Sequence, residues 1–417
     1  MKVLHLSTKD IGGGAYRGSY WLHQGLLEAG VDSTMLVSEK LSDDFSIIGP
    51  TTKISRTLNR FRPYLDVLPL LVRGSQNPQF SCSWIPSSIP IQVKELNPDI
   101  INLHWVCGGF LRPESIGKLP NIPLVWTIRD MWPFTGGCHY SGDCLKYTDS
   151  CGSCPILGSN SDRDLSTNIW QRKYNSWRNL NLTVVAISNW LADCARASSL
   201  FRNQRIEVIP NALDESIYRP IPKKIARDIL KLPPEPTKII LFSALNATSD
   251  KRKGFQYVLP ALQKISANHN FEQMPELVVI GSSSPKEQIN TGMKAHYMGR
   301  LHDDTTLTLN YSAADVTVVP STEEAFGKVA IESLACGTPV VSFDSTGLKD
   351  IVEHQKNGYR AKCFSSEDLA QGISWVIEDE QRWQNLSQHS RAKVEAEFTL
   401  KVQSFKYCKL YNELFRD

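Results

Sequence analysis

No run of apolar residues in this chain of 417 residues approaches the roughly 18 to 20 residues that a membrane-spanning helix requires. The amino terminus, M-K-V-L-H-L-S-T, carries a single lysine and passes directly into an alternating apolar strand, which is typical of neither a signal peptide nor a membrane anchor. We therefore expect a cytoplasmic protein whose ten cysteines are free thiols or metal ligands rather than disulfides.

The chain also carries little net charge, with 46 Lys and Arg against 43 Asp and Glu, or +3 at pH 7. So small an excess argues against nucleic-acid binding, although it leaves room for a local basic patch. Apolar residues make up 41% of the chain and charged residues 21%, as in soluble globular proteins. We find no internal repeat and no low-complexity tract, and the length predicts two or three domains.

Short β-branched runs alternate with helix-length amphipathic segments in both halves of the sequence. The expected strands are 3–7, 99–103, 123–127 and 182–188 in the first half, and 238–242, 276–280, 315–319 and 339–343 in the second. This alternation predicts an α/β protein with two doubly wound parallel-sheet domains. Six prolines between Pro210 and Pro236 place the join there.

The stretch P-S-T-E-E-A-F-G-K-V-A-I-E, from Pro320, places Glu324 and Glu332 eight positions apart around a Phe-Gly pair. A strand should end at Pro320 and a helix begin near Phe326, so that the free amides of the helix N-terminus can bind phosphate. The two carboxylates would then accept hydrogen bonds from hydroxyls on either side. This spacing suits ribose, diphosphate and sugar, in that order, beyond the carboxyl ends of the strands.

These residues resemble the family-4 retaining glycosyltransferases, through the Glu-x7-Glu motif E-A-F-G-K-V-A-I-E. The resemblance extends to further segments, namely Gly12-Gly13-Gly14, Val208-Ile209-Pro210-Asn211 with Asp214, Lys253-Gly254, Met298-Gly299 and Cys336–Val341. The segment T-I-R-D-M-W-P-F-T-G-G-C-H-Y, residues 127–140, narrows the resemblance to one bacterial branch of the family. Members of this branch build exopolysaccharide and lipopolysaccharide chains.

The resemblance implies the GT-B fold, in which two facing Rossmann-like doubly wound parallel-sheet domains enclose an interdomain cleft. We expect an acceptor-side domain over 1–208, a linker over 209–236, a nucleotide-sugar-binding domain over 237–395, and a helix over 396–417 that crosses back to the first domain. The implied reaction is metal-independent transfer, with retention, from a nucleotide-diphosphate sugar to a polysaccharide or lipid-linked saccharide acceptor.

The resemblance also assigns roles to individual residues. Glu332 should bind the donor ribose, Glu324 the hydroxyls of the donor sugar, and Lys253 the diphosphate, whose developing charge a fixed cation and a helix N-terminus can stabilise. The full set expected at the donor is Gly13, Gly14, Arg252, Lys253, Phe326, Gly327, Lys328 and Glu332, and the catalytic candidates are Glu324, Arg129, Asp130 and His104.

Two positions depart from the family pattern. Ala247 stands where many members have an arginine beside the diphosphate, a role that Lys251 or Arg252 could take. Arg129 stands where the family has the histidine of Thr-x-His-Asp, and arginine cannot act as a general base at neutral pH. Asp130 either takes part in the site or only orients its neighbours, and His104 either lines the site or is a structural histidine.

Four cysteines, Cys138, Cys144, Cys151 and Cys154, lie within 17 positions and end in a Cys-x2-Cys pair. Their number and spacing suit a structural tetrahedral zinc site. Two disulfides in an oxidising compartment, or a reduced cysteine-rich loop, are the alternatives. In each case we expect the loop to shape the acceptor side.

The segment Lys53–Arg73 interleaves basic and apolar residues in the manner of an interfacial amphipathic helix. This composition predicts peripheral contact with the anionic inner face of the cell membrane, where a lipid-linked acceptor would lie. The alternative is a solvated helix whose apolar side packs on the core.

Two other functions remain open on the sequence alone. One is a non-transferring enzyme of the same fold, such as a nucleotide-sugar epimerase. The other is a catalytically inactive donor-binding scaffold subunit, which the departures at Arg129 and Ala247 favour. Release of free nucleoside diphosphate only in the presence of acceptor would distinguish a transferase from both.

Overall fold

The computed structural model describes residues 1–72, 79–244, 250–267, 271–282 and 290–416. The chain forms two compact units, one of Met1–Ala212 with Leu400–Asp417 and the other of Leu213–Thr399. Each unit is built on a parallel sheet, which confirms the predicted α/β class.

The first unit contains a sheet of seven parallel strands in the order β3-β2-β1-β4-β5-β6-β7. These are β1 (Lys2–Lys9), β2 (Asp32–Glu39), β3 (Ile47–Ile48), β4 (Ile100–Leu103), β5 (Leu124–Ile128), β6 (Leu182–Ala186) and β7 (Arg205–Val208). Its helices are α1 (Gly14–Glu28), α2 (Lys53–Asp66), α3 (Leu68–Leu71), α4 (Ile89–Leu96), α5 (Pro113–Ile116), α6 (Leu165–Trp177) and α7 (Asn189–Ala197). Every residue of β4, β5 and β6 is buried, which explains why these strands have continuous apolar sequences.

The second unit contains six parallel strands in the order β10-β9-β8-β11-β12-β13. These are β8 (Ile239–Ser243), β9 (Glu276–Ile280), β10 (Ala295–Gly299), β11 (Val316–Val319), β12 (Val340–Phe343) and β13 (Gly358–Ala361). Its helices are α8 (Lys223–Leu230), α9 (Phe255–Ala267), α10 (Asp304–Ala313), α11 (Lys328–Ala335), α12 (Ser366–Ile377) and α13 (Glu380–Glu397).

The segment 213–236, predicted to be part of a linker, belongs to the second unit. The reason is a buried ion-pair network on α8. The Arg227 guanidinium donates to Asp315 at 2.7 Å, and Lys223 donates to the other carboxylate oxygen at 2.7 Å. Since Arg227 and Asp315 are both almost fully buried, α8 is part of this unit's core and not a free connection.

The last helix, α14 (Leu400–Arg416), belongs to the first unit. Its Tyr407 and Tyr411 are fully buried in the core that includes Val3 and Leu22. The Tyr411 hydroxyl accepts a hydrogen bond from the Asn102 amide at 2.7 Å, so that the helix is tied to the end of β4.

None of the helices in the described part of the chain combines the length and the apolar character that crossing a membrane requires.

Candidate functional site

The candidate donor residues of the second unit follow two neighbouring strands. Lys253 comes after β8, in a one-turn helix of Lys251–Lys253, and the loop 320–327 comes directly after β11. β8 and β11 pair in parallel, so both segments leave the sheet at its carboxyl edge. This is the edge at which parallel sheets bind ligands and at which the donor is expected.

Gly254 allows these two segments to pack closely against each other. Gly254 has a φ of +78°, and a Cβ at this position would lie 2.0 Å from the carbonyl oxygen of Pro320. Only glycine fits, because it tolerates both the left-handed backbone and the close approach. The Thr322 amide completes the junction by donating to the Arg252 carbonyl at 2.9 Å. Lys253 is therefore fixed beside the loop that carries Glu324.

Lys253 and Glu324 form a direct ion pair. The Lys253 ammonium lies 2.7 Å from Glu324 Oε2, and the two side chains are 22% and 17% exposed. Burial works to raise the pKa of the Glu324 carboxyl, but the Lys253 charge and hydrogen bond outweigh it, and the pKa falls below its usual value. The pair thus places a carboxylate directly beside a cation, the two kinds of group that were expected to meet sugar hydroxyls and phosphate.

Helix α11 begins at Lys328, with Gly327 as its N-cap. Gly327 has a φ of +123°, and a Cβ there would lie 2.6 Å from the Leu348 side chain. Phe326 is buried and stacks edge-on against Phe398 at 5.8 Å. This packing fixes the turn at which the chain enters the helix, where the amides of residues 326–328 were expected to meet the donor.

Glu332 lies one turn into α11 and is 2% exposed. Its Oε1 pairs with the Lys328 ammonium, and its Oε2 accepts a hydrogen bond from the Tyr311 hydroxyl at 3.0 Å. Burial and the Glu332 carboxylate raise the pKa of Tyr311, so the phenol remains a donor. A carboxylate satisfied in this way is stable in the interior and keeps further lone pairs for a ligand.

The glycine turn of the first unit follows β1. Gly13 is the N-cap of α1, which begins at Gly14. The preceding Asp10 is buried and accepts hydrogen bonds from the amides of Leu41 and Ser42, at 2.9 and 2.8 Å. The turn is therefore fixed to the loop after β2, and both Gly13 and Gly14 lie at the carboxyl edge of the sheet.

Arg129 follows β5 and is 6% exposed. Its guanidinium donates to the Asn211 side chain and lies 3.4 Å from Nδ1 of His104. Gly18 of α1 makes room for it, because a Cβ there would lie 2.4 Å from the guanidinium. Burial lowers the pKa of Arg129 to about 10, so the side chain is still a cation at neutral pH.

Asp130 accepts hydrogen bonds from two rings. Its Oδ2 lies 2.8 Å from the Trp105 indole nitrogen and 2.7 Å from Nδ1 of His139. The other imidazole nitrogen of His139 lies 2.9 Å from the Ser81 hydroxyl. The carboxylate therefore orients His139 in a buried Asp-His-Ser arrangement.

His104 follows β4 and is 2% exposed. Its Nε2 lies 2.8 Å from Nδ1 of His5, and the two rings stack with their centroids 5.1 Å apart. Burial, followed by the charge of Arg129, lowers the pKa of His104 well below its usual value. His104 is thus a neutral imidazole whose two ring nitrogens both have neighbours within the protein.

The four cysteines that were candidate zinc ligands, Cys138, Cys144, Cys151 and Cys154, line one small cavity. All four are free thiols in the structure. Across the described ranges, no three or more His, Cys, Asp or Glu side chains already stand where they would hold a metal ion. Ala247 and Arg73, two residues of the sequence analysis, lie outside the described residues.

Three residues near the candidate site were not predicted. Tyr311 donates to Glu332, Ser321 lies 3.3 Å from Glu324 Oε2, and His139 contacts Asp130. Tyr311 carries no sequence signal, because it lies 21 positions before its partner on another helix. His139 could have been identified, since it follows Cys138 within the same conspicuous segment.

Comparisons with known proteins bear on the second unit most directly. Residues 224–393 match the family profile described as Glycosyl transferases group 1. The chain is 35% identical over 135 residues to an uncharacterized glycosyltransferase of Methanocaldococcus jannaschii, covering 31% of this chain and 33% of that protein. It is 26% identical over 307 residues to the D-inositol 3-phosphate glycosyltransferase of Thermobispora bispora, covering 69% of this chain and 64% of the relative. These matches span less than two thirds of either relative.

Solved structures resemble the whole chain. Sucrose-phosphate synthase from Thermosynechococcus elongatus has a TM-score of 0.70 at 20% identity, with 100% of both chains covered. Anabaena HepE, solved with UDP and glucose, has a TM-score of 0.63 at 17% identity, with 99% of both covered. The chain therefore has the GT-B fold that the sequence predicted, and its residues 224–393 are similar to the family of glycosyl transferases group 1.

Proposed function

We propose that this protein is a retaining glycosyltransferase that moves a sugar from a nucleotide-diphosphate sugar to a polysaccharide or lipid-linked saccharide acceptor. The observation that carries the proposal is the arrangement after β11, where Lys253 pairs with Glu324 at 2.7 Å and buried Glu332 lies one turn into α11. Both carboxylates fall within the segment that matches the group 1 family.

The arrangement suits departure of a nucleoside diphosphate. As the bond to the anomeric carbon breaks, negative charge develops on the phosphate oxygens, and the Lys253 ammonium with the amides that begin α11 would stabilise it. Glu324 would hold hydroxyls of the transferred sugar and Glu332 the ribose of the leaving nucleoside diphosphate, so that the donor is bound on both sides of the bond that breaks. Because the protein supplies this positive charge itself, we propose that the transfer needs no bound metal for its chemistry.

The role of Glu332 can be tested by calorimetry with UDP, GDP, ADP and their common sugar conjugates. UDP and UDP-glucose come first, since HepE, which shares the fold, was solved with UDP and glucose. We expect Glu332→Ala to weaken binding of the preferred nucleotide by about 1 to 3 kcal/mol, because a hydrogen bond to a charged group is lost. This corresponds to roughly 5- to 150-fold in Kd.

The matched control is Glu395→Ala, which removes an exposed carboxylate from the same unit and should leave Kd unchanged. Equal affinities for wild type and Glu332→Ala would contradict the assignment of the ribose site. An absence of nucleotide binding in the wild type would contradict the proposed function altogether.

One observation favours a second candidate, a donor-binding subunit without catalysis. Arg129 stands in place of the family's histidine and stays a cation at neutral pH, held by Asn211 and next to His104. An assay that follows nucleoside diphosphate release separates the two functions. Release that requires an acceptor supports the transferase, whereas tight donor binding without release under any acceptor supports the subunit.

For the acceptor, we propose a lipid-linked or growing surface saccharide at an anionic membrane surface, as in the exopolysaccharide and lipopolysaccharide branch. Helix α2 supports this, because it exposes a stripe of Ile54, Leu58 and Phe61, which are 75%, 62% and 58% exposed. Its exposed basic residues are Lys53, Arg56 and Arg60, and its one acidic residue, Asp66, is buried. The alternative expectation, that the apolar side packs on the core, is wrong for this stripe.

We expect the double variant Leu58→Glu and Phe61→Glu to lose co-sedimentation with anionic liposomes at low salt. Burying two such side chains in the interface contributes most of the apolar binding energy, so the partition coefficient should fall on the order of tenfold or more. Phe405→Glu is the control, because Phe405 is a similarly exposed aromatic residue on α14. If the wild-type protein does not co-sediment with the liposomes, the proposed membrane contact is wrong.

A further inference from the structure

We propose that Cys138, Cys144, Cys151 and Cys154 form a tetrathiolate zinc site that fastens the segment between β5 and α6. The four residues line a single cavity of about 20 Å³ in the first unit. That volume admits about one water-sized particle. Thiols are poor hydrogen-bond partners for water, whereas four sulfurs around one such space are the ligand set of a structural zinc ion.

The local backbone turns the last two sulfurs toward the same space. Cys151, Gly152 and Ser153 all have left-handed backbones, with φ of 57°, 110° and 41°. Gly152 admits no side chain, since a Cβ there would lie 2.5 Å from the Asp162 carbonyl oxygen. Three successive left-handed residues are costly, and such strain is retained where a local geometry is required. Here it turns the Cys-Gly-Ser-Cys segment back onto the cavity.

A backbone amide points at one of the sulfurs. The Gly136 amide donates to the Cys151 sulfur at 3.2 Å. A neutral thiol is a weak acceptor, whereas a metal-bound thiolate accepts such bonds well, and partners of this kind orient the ligands of metal sites. The described sulfurs do not yet stand at metal-ligating positions. Binding therefore requires them to close on the ion to about 2.3 Å.

A basic side chain, Lys173, lies near the four cysteines, and a zinc site made of four thiolates would be negatively charged. Four thiolates and one Zn²⁺ carry a net charge of about −2. Lys173 of α6 is fully buried behind the cluster, donates to the carbonyls of Trp132 and Thr135, and lies 3.6 Å from the Trp132 ring centroid. A tetrathiolate site would place negative charge close to this buried amine, which is electrostatically favourable.

The site bears on the first unit's candidate residues through chain connectivity. Cys138 directly precedes His139, whose Nδ1 lies 2.7 Å from Asp130. A metal at the cluster would fix the far end of the segment that begins at Arg129. We infer that the zinc acts as a positioning element for Asp130 and His139 and takes no part in the transfer itself.

The experiment is metal analysis of the full chain, purified without a metal-affinity step. We expect about one zinc per chain to remain after dialysis. A thiol-modifying mercurial should release it, as read by a metal-sensitive dye. Replacement by Co²⁺ should give the intense sulfur-to-cobalt charge-transfer absorption of a thiolate site. These readouts do not depend on transferase activity, so their failure is distinct from failure of the proposed function.

Cys151→Ser and Cys154→Ser should each retain less than about one tenth of the zinc, because loss of one thiolate weakens a four-ligand site. Cys363→Ser is the matched control, since Cys363 is exposed and remote from the cluster in sequence. If the cluster variants do not fold, mercurial release from wild-type protein still decides the question. Wild-type protein without zinc, whether with four titratable thiols or with two disulfides in this segment, overturns the proposal.

Discussion

We expect Lys253→Met to lower kcat for sugar transfer by about 10²- to 10³-fold, as the loss of one preorganised donor to a developing anion typically does. Methionine keeps the length of the side chain but removes the ammonium that lies 2.7 Å from Glu324. The effect should appear in kcat because the charge on the departing diphosphate is largest in the transition state. Steady-state kinetics with the preferred nucleotide sugar, at saturating acceptor, would measure it.

Lys251→Met is the matched comparison for this prediction, and it also tests the role at the diphosphate that the sequence left open for Lys251. Lys251 lies in the same one-turn helix and is exposed, so its replacement removes the same charge two positions away. We expect a change in kcat of less than about threefold for the control, consistent with the small effects of exposed charges. Equal losses in the two variants would show that the basic turn acts only through its overall charge. The Lys253 and Glu324 side chains are partly exposed, so unfolding temperatures should change little in either variant.

The largest loss of stability is expected for Asp315→Asn. Asp315 Oδ2 accepts hydrogen bonds from Arg227 and from the Ile239 amide, at 2.7 and 2.6 Å, and Oδ1 accepts from Lys223 at 2.7 Å. Asparagine has nearly the same shape but leaves the buried Arg227 guanidinium without its counter-charge. Breaking a buried pair from one side costs about 3 to 5 kcal/mol of unfolding free energy. Urea-induced unfolding followed by circular dichroism would measure it.

Glu380→Gln provides the comparison for Asp315→Asn. Glu380 pairs with Lys238 at 3.2 Å, and Lys238 also lies 3.8 Å from Asp315, but Glu380 is 58% exposed. An exposed pair contributes only about 0 to 1 kcal/mol. If the two variants unfold at the same urea concentration, the network does not anchor α8, and the segment 213–236 would have to be regarded as a linker after all.

The fold could be predicted largely from apolar runs, because central parallel strands are buried on both faces. The strands β1, β4, β5, β6, β8, β9, β11 and β12 all fall on predicted runs. The strands that escaped prediction, β2, β3, β7, β10 and β13, lie toward or at the sheet edges, and edge strands tolerate polar residues. The position of the boundary between the two units, at Ala212, was not predicted either. The prolines indicated that a join lies in this region, but no feature of the sequence showed that Arg227 is buried against Asp315.

The candidate donor site was predictable to the extent that it is local in sequence. Glu324, Gly327 and Glu332 lie in one loop and helix, and the expected order of ribose, diphosphate and sugar was based on their spacing alone. The contacts that position them span longer distances along the chain. Glu324 meets Lys253 across 71 positions, and Arg129 meets Asn211 across 82. No period or motif encodes such pairs, because they depend on which strands become neighbours.

Because Gly18 lies so close to Arg129, a substitution at either position affects which residues the other position can accept. A methyl group at residue 18 would overlap the guanidinium, since a Cβ there would lie 2.4 Å from it. Conversely, exchanging Arg129 for the shorter histidine of the family pattern would leave a void beside Gly18 and deprive Asn211 of its donor. An evolutionary or engineered path between the two versions of this site therefore passes through intermediates that are either overpacked or hollow. Gly18 and Asn211 thus fit an arginine at position 129, and a histidine there would need a compensating change on α1.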